Sequence, residues 1–263
     1  MATVTDATPW LRAVRASHDR LAGLVAGIDA ETLRKRSYDA DWSIADVLSH
    51  LGSGAEISAM YVNAGVTGGD PPSQDAFKPV WDTWNAREPE EQAARSVEAN
   101  EVLLTRLESL TPEQHETFRV TMFGAMSMDL AALLGMRLSE HAVHTWDVAV
   151  ALDPAARVAQ DAVDLLIDQL PRMAGFMGKK AAAPVTVAVT TTNPDRAFTL
   201  DTGTVDTGGV TLGPAVAEVI PAASLTLPAE AFLRLVYGRL DDDAGVTASG
   251  VTLVELRSVF PGF

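Results

Sequence analysis

The stretch from 137 to 152, R-L-S-E-H-A-V-H-T-W-D-V-A-V-A-L, decides how the chain is read. Its apolar positions recur at helical spacing and predict a buried helix. Arg137, Glu140, His141, His144 and Asp147 interrupt it, and a charged or imidazole group buried without a partner is costly. Positions 133, 137, 140, 144, 148 and 151 lie three or four apart, on one stripe, and read Leu, Arg, Glu, His, Val, Ala. Glu140 and His144 therefore project together, the spacing by which one helix offers two ligands to one metal ion. His141 competes with His144 as the inward-facing imidazole.

A second helix has to complete such a site. In Y-D-A-D-W-S-I-A-D-V-L-S-H-L, Ser43 and Asp46 make a capping-box-like S-x-x-D that predicts a helix start. The stripe 43, 47, 50, 54, 57, 61 reads Ser, Val, His, Gly, Ile, Tyr, which turns His50 inward with room beside Gly54. Two histidines and one carboxylate with a fourth position open form a recurrent catalytic zinc set, and bundles build metal sites from facing helices. The competing reading is a hydrogen-bonded histidine in an ordinary core.

Composition narrows the classes. The chain has 263 residues, 47% of them hydrophobic, enough for a real core. A net charge of -15 argues against nucleic acid or an anionic membrane as partner. No apolar run approaches a membrane span, and the amphipathic N-terminal stretch has no signal-peptide pattern; the expected compartment is the cytoplasm. With no cysteine, a disulfide, a zinc ribbon and a cysteine nucleophile are excluded, and any thiol chemistry uses a borrowed thiol.

Working outward, helical periodicity also covers about 9–28, 80–110 (bent near Pro89) and 127–152, with a Gly/Pro-rich loop at 65–80. Four long helices in about 150 residues predict a four-helix bundle. One more helix and a linker fill 154–183. From 184 the period falls to two, in V-T-V-A-V-T-T-T, A-F-T-L, V-T-L-G, A-V-A-E-V-I and A-S-L-T-L, with a helix near 228–240 and a last strand near 251–256. The predicted fold is thus a two-domain α+β chain: a helical bundle over 1–153, a helix and linker over 154–183, and a small α+β domain over 184–263. The two D-T-G triplets at Asp201 and Asp206 read as turns: an aspartic-protease pair would come from separate lobes, not from five residues apart. There is no P-loop, G-x-S-x-G or G-x-G-x-x-G.

D-W-S-I-A-D-V-L-S-H-L resembles the opening of DinB-like metal-binding bundle domains. R-L-S-E-H-A-V-H-T-W-D resembles the R-x-x-E-x-x-x-H-x-W-D helix of the mycothiol-dependent maleylpyruvate isomerase family. L-P-A-E-A-F-L-R-L-V-Y-G-R-L is similar to that family's sterol-carrier-like second domain. The resemblance implies that His50, Glu140 and His144 hold zinc or another divalent metal. Arg137 matches the motif and would orient Glu140; its alternative is a surface arginine at the end of the bundle. Trp146 and Asp147 match it as well, Trp146 as packing and Asp147 as a tie to a neighbouring helix; His141 is expected to be structural, and His18 and His115 superficial. Arg239 in Y-G-R matches a C-terminal arginine implicated in activity, with Arg234 and Arg257 as rivals; its alternative role is an ion pair with the following L-D-D-D.

The resemblance further implies an enzyme taking a small electrophile and mycothiol as thiol cofactor, most simply an isomerase that adds the thiolate to a cis double bond, lets the resulting single bond rotate and eliminates to the trans product. A mycothiol S-transferase or thiol-exchange enzyme on the same site is the alternative. A non-catalytic, metal-stabilised protein binding a small ligand or a partner is a third reading.

Overall fold

The structure, a computed structural model, describes residues 5–262 apart from 40, 123, 125, 204–207, 216–220 and 242–244. The chain divides into two compact units, Met1–Ala162 and Val163–Phe263.

The first unit runs α1 (Thr8–Val25), α2 (Ala30–Leu33), α3 (Ile44–Thr67), α4 (Phe77–Asn85), α5 (Pro89–Glu108), α6 (Pro112–Thr117), a hairpin of β1 (Val120–Met122) and β2 (Met126–Met128), and α7 (Leu130–Leu152). Helices α1, α3, α5 and α7 pack as a four-helix bundle. Ser43 starts α3 as its N-cap, accepting from the Asp46 N–H while the Asp46 carboxylate accepts from the Ser43 N–H. Leu21, Ile44, Val47, Leu48, Leu51 and Val148 interdigitate as core, and Trp42 packs partly buried against them.

Two expectations are corrected here. The single bent helix across Pro89 is two helices: proline disfavours helical backbone in the residue before it, and Glu88 is extended (φ -67, ψ 150). Helix α7 begins at Leu130, capped by Asp129, which accepts from the Ala132 N–H at 2.8 Å. Residues 126–128 instead pair antiparallel with 120–122. Strands of three residues are too short to display a period of two.

The second unit carries α8 (Gln160–Leu166, crossing the boundary), α9 (Leu170–Met177), β3 (Thr186–Thr192), β4 (Arg196–Thr202), β5 (Val210–Pro214), β6 (Ala223–Pro228), α10 (Ala229–Val236), β7 (Thr247–Ser249) and α11 (Leu253–Val259). The five strands form one sheet in the order β5-β4-β3-β6-β7, with β3 and β6 parallel and the other pairs antiparallel. Val187, Val189, Leu200, Leu225 and Leu227 are buried, and Phe198 meets Phe232 of α10 with centroids 5.7 Å apart. The predicted strand at 251–256 is overturned: Thr252 and Glu255 form a capping box that opens α11. The predicted strand A-V-A-E-V-I lies, beyond its first residue, outside the described residues, as does Asp206. Asp201 belongs to β4 and accepts from the Gly203 N–H at 2.9 Å, a turn contact.

Candidate metal centre

The middle of α3 and the middle of α7 bring three donors together. His50 Nε2 lies 3.1 Å from Glu140 Oε2, and His144 Nε2 lies 3.7 Å from the same oxygen. One ligand atom from each residue falls within 4.8 Å of the others. Glu140 and His144 meet because they are four apart on α7; His50 meets them because α3 packs on α7. Crowding by protein atoms opposes ionisation of Glu140, yet the His50 hydrogen bond and the charges of His144, His50 and Arg137 outweigh it and hold the carboxyl at about 2.

His144 is fixed from behind. Its Nδ1 donates to Asp147 Oδ2 at 2.8 Å, and Asp147 is 0% exposed. The contact sets the tautomer, leaving the Nε2 lone pair facing Glu140 and His50. A carboxylate behind a ligating histidine is the usual outer partner of a metal site. Trp42 closes one side, its ring 5.2 Å from His50 and stacked 6.1 Å from His144, centroid to centroid. Two imidazoles and one ionised carboxylate, one imidazole already oriented, suit a borderline divalent ion such as zinc.

Arg137 sits elsewhere than the sequence suggested. It makes no hydrogen bond or ion pair with Glu140. Its Nη2 donates to the Leu51 carbonyl at 2.9 Å and to the Asn100 side-chain oxygen, in the bundle interior, while Nε has no partner among the described residues. Burial pushes its guanidinium down to about 10, against the pull of the Glu140 charge. Gly54 makes this possible: a Cβ there would lie 3.0 Å from Arg137 Nη1. The space beside Gly54 thus belongs to Arg137. Asn100 escaped the sequence reading because it lies 37 residues away on another helix.

The remaining histidine of α7 turns toward α1. His141 is completely buried, with Nδ1 2.9 Å from the Ser17 hydroxyl and 3.2 Å from that of Thr145. Burial pushes its imidazole well down. His18 is buried beside it, 6.2 Å away by ring centroid, with Nε2 3.2 Å from Glu101. The expectation that His18 is superficial is therefore corrected. His115, on the short helix α6, stays outside the cluster. Trp146 packs against Tyr38 and donates to the Ala156 carbonyl at 3.0 Å.

In the second unit, Arg239 is buried and donates from Nη1 to the Tyr237 carbonyl at 2.8 Å. Gly238 before it has φ 69 and ends α10 where a Cβ would collide with Gly262. Arg234 is committed to Glu230 by a buried two-pronged ion pair at 2.8 and 3.1 Å. Arg257 pairs with Asp241 of L-D-D-D at 3.3 Å.

Comparison with known proteins bears on this geometry. The family model described as the mycothiol maleylpyruvate isomerase N-terminal domain matches residues 14–149. Two solved structures are similar over 96% of this chain and 98% of theirs at 14% identity: the mycothiol-dependent maleylpyruvate isomerase, with a TM-score of 0.68, and a histidine-to-alanine mutant of it, at 0.67. At that identity the likeness establishes the fold. YfiT from Bacillus subtilis, described as a probable metal-dependent hydrolase with an unusual four-helix bundle topology, matches 57% of this chain and 89% of its own at 16% identity, with a TM-score of 0.44. No curated protein matches the sequence.

Proposed function

The chain belongs to the family defined by the mycothiol maleylpyruvate isomerase N-terminal domain, and from that premise we propose that it is a cytoplasmic, metal-dependent enzyme that adds the thiol of mycothiol to an electrophilic carbon. The observation that carries the reading is the convergence of His50, Glu140 and His144 within 4.8 Å, with His144 oriented by the buried carboxylate of Asp147. A zinc ion held by these residues would supply the charge that keeps a borrowed thiol deprotonated at neutral pH.

The residues divide the remaining work. Glu140 stays ionised and offsets part of the ion's charge. Asp147 holds the His144 ring in one tautomer and one orientation. Arg137 acts through Glu140 as a positioning residue, its buried charge favouring the carboxylate. Trp42 shields the histidine rings from water on one side. Arg239, singled out by the resemblance, is the second unit's candidate for activity, its guanidinium buried and donating to the Tyr237 carbonyl.

In the isomerase outcome, the carbon–sulfur bond forms while the double bond becomes single, the chain rotates about it, and elimination of the same thiolate restores the double bond in the trans form. The S-transferase outcome shares the first step and ends when the carbon takes a proton. A specific observation favours it: the cleft beside the triad presents carboxylates and indoles rather than cations for a dianionic maleylpyruvate. The test is consumption of thiol, or cis–trans conversion, by zinc-loaded protein given mycothiol and an activated alkene. Activity that needs both metal and thiol supports the proposal; a zinc-loaded protein that turns over neither maleylpyruvate nor neutral alkenes contradicts it, and the binder reading then leads.

A further inference from the structure

The cleft that opens beside His50 has a volume of about 430 Å³. Two of its walls are the indoles of Trp42 and Trp81. Trp81 is 45% exposed, a large apolar surface left in water on the amphipathic helix α4. Aromatic faces of this kind are costly to leave bare and bind flat apolar groups well. The polar lining is Asp41 and Asp46, with the neutral Ser53 and Asn85. Asp46 already accepts from the Ser43 N–H and hydroxyl, at 2.9 and 2.6 Å. Asp41 is exposed.

No lysine or arginine lines the cleft among the described residues. Arg137, the cation that shares the donors' stripe on α7, is buried and turned to Leu51 and Asn100. Arg36, bridged through its backbone to Ser43, lies outside the lining. The charges can be added up. A divalent ion, one Glu140 carboxylate and one thiolate sum to zero. Asp41 and Asp46 then leave the cleft two charges negative. Like charges brought together in the cleft repel, the more so the less water lies between them.

Resting on the thiol-adding reading above, we infer that the second substrate is an uncharged or cationic electrophile with a flat apolar face, laid against Trp42 and Trp81, and that dicarboxylates are selected against. This narrows the reaction to electrophiles such as imides, esters, quinones or cationic aromatics. It makes Trp81 and Asp41 specificity-determining residues: the indole by attraction, the carboxylate by repulsion.

The test uses the full-length, zinc-loaded protein and a pair of unreactive probes, 2-phenylsuccinate and its dimethyl ester, which share one skeleton and differ by two charges. Isothermal titration calorimetry at low salt is expected to give an ester affinity at least tenfold above that of the dianion. Asp41→Asn should narrow that ratio severalfold, as should raising the ionic strength; both readouts isolate charge from the ester's greater apolarity. Trp81→Ala should weaken the ester about tenfold at unchanged zinc content. A dianion that binds as well as the ester, a ratio indifferent to Asp41→Asn and salt, or a Trp81→Ala variant with wild-type ester affinity overturns the inference. Zinc content is measured on the same samples. A wild-type protein that takes up no zinc defeats the catalytic reading, whereas zinc-loaded protein that prefers the dianion defeats only the substrate class.

Discussion

His50 and His144 meet with ring centroids 4.7 Å apart at 67°; His18 and His141 meet 6.2 Å apart at 72°. Both pairs join α7 to another helix of the bundle, α3 in the first case and α1 in the second. Their surroundings separate them. The first pair brackets Glu140, has Asp147 behind it and borders a cleft. The second is sealed in the core, His141 against the hydroxyls of Ser17 and Thr145 and His18 against Glu101. Burial and helical spacing thus do not distinguish a candidate ligand from a structural histidine on this helix. An orienting carboxylate behind the ring and an ionised carboxylate in front of it do.

The largest effect expected to sharpen that contrast is on metal affinity. His50→Ala or His144→Ala should weaken zinc binding by roughly 100-fold or more, since each removes one of three protein ligands, while His141→Ala keeps the metal and loses stability. Competition titration with a chromophoric chelator reads the first, and thermal unfolding the second. Next comes Asp147→Asn, which leaves the His144 ring in place but weakens its orientation; zinc affinity should fall about 10- to 100-fold. The same substitution placed behind His141 has no counterpart, because only hydroxyls stand there.

Much of this was legible beforehand, and the reasons are physical. The Ser43–Asp46 box, the four-residue spacing of Glu140 and His144, and the alternation in β3 and β6 are local signals, complete within a few residues of chain. Glu140 and His144 could be grouped because they share a helix turn, and His50 because its own stripe turns it inward. What escaped depends on distance or on brevity. Asn100 and Leu51, which hold Arg137, lie 37 and 86 residues from it. The β1–β2 hairpin is too short for periodicity. The signal at α11 is local as well: Thr252 and Glu255 spell the same capping box as Ser43 and Asp46, but the apolar run of Val251, Leu253, Val254 and Leu256 around it reads equally as a strand.

Smaller effects test the rest of the contrast. Arg239→Ala should keep zinc and lower the turnover number by roughly 100-fold, the lower end for loss of one charge-stabilising donor; steady-state kinetics with metal analysis decides it. Gly65→Ala should destabilise the bundle by about 1–3 kcal/mol, because a Cβ there would press into the Phe118 ring; chemical denaturation measures this without touching the donors. The smallest effect belongs to the sealed pair. Burial pushes the His18 imidazole below its ordinary value, against the pull of Glu101. The unfolded chain takes up a proton near pH ~6.5 that the folded chain refuses until lower pH. Stability from keeping His18 neutral is therefore present above that pH and lost as it falls. Thermal unfolding between pH 7 and 5 should show a drop that His18→Gln reduces.

The central claim is that the α3–α7 pair holds a metal and the α1–α7 pair does not. Inductively coupled plasma mass spectrometry of zinc-incubated, desalted protein tests it most directly. About one zinc per chain is expected in the wild type and in His141→Ala, and almost none in His144→Ala. No zinc in the wild type, or equal loss from both variants, would contradict the claim and leave Glu140 and His144 as a hydrogen-bonded pair in a bundle core.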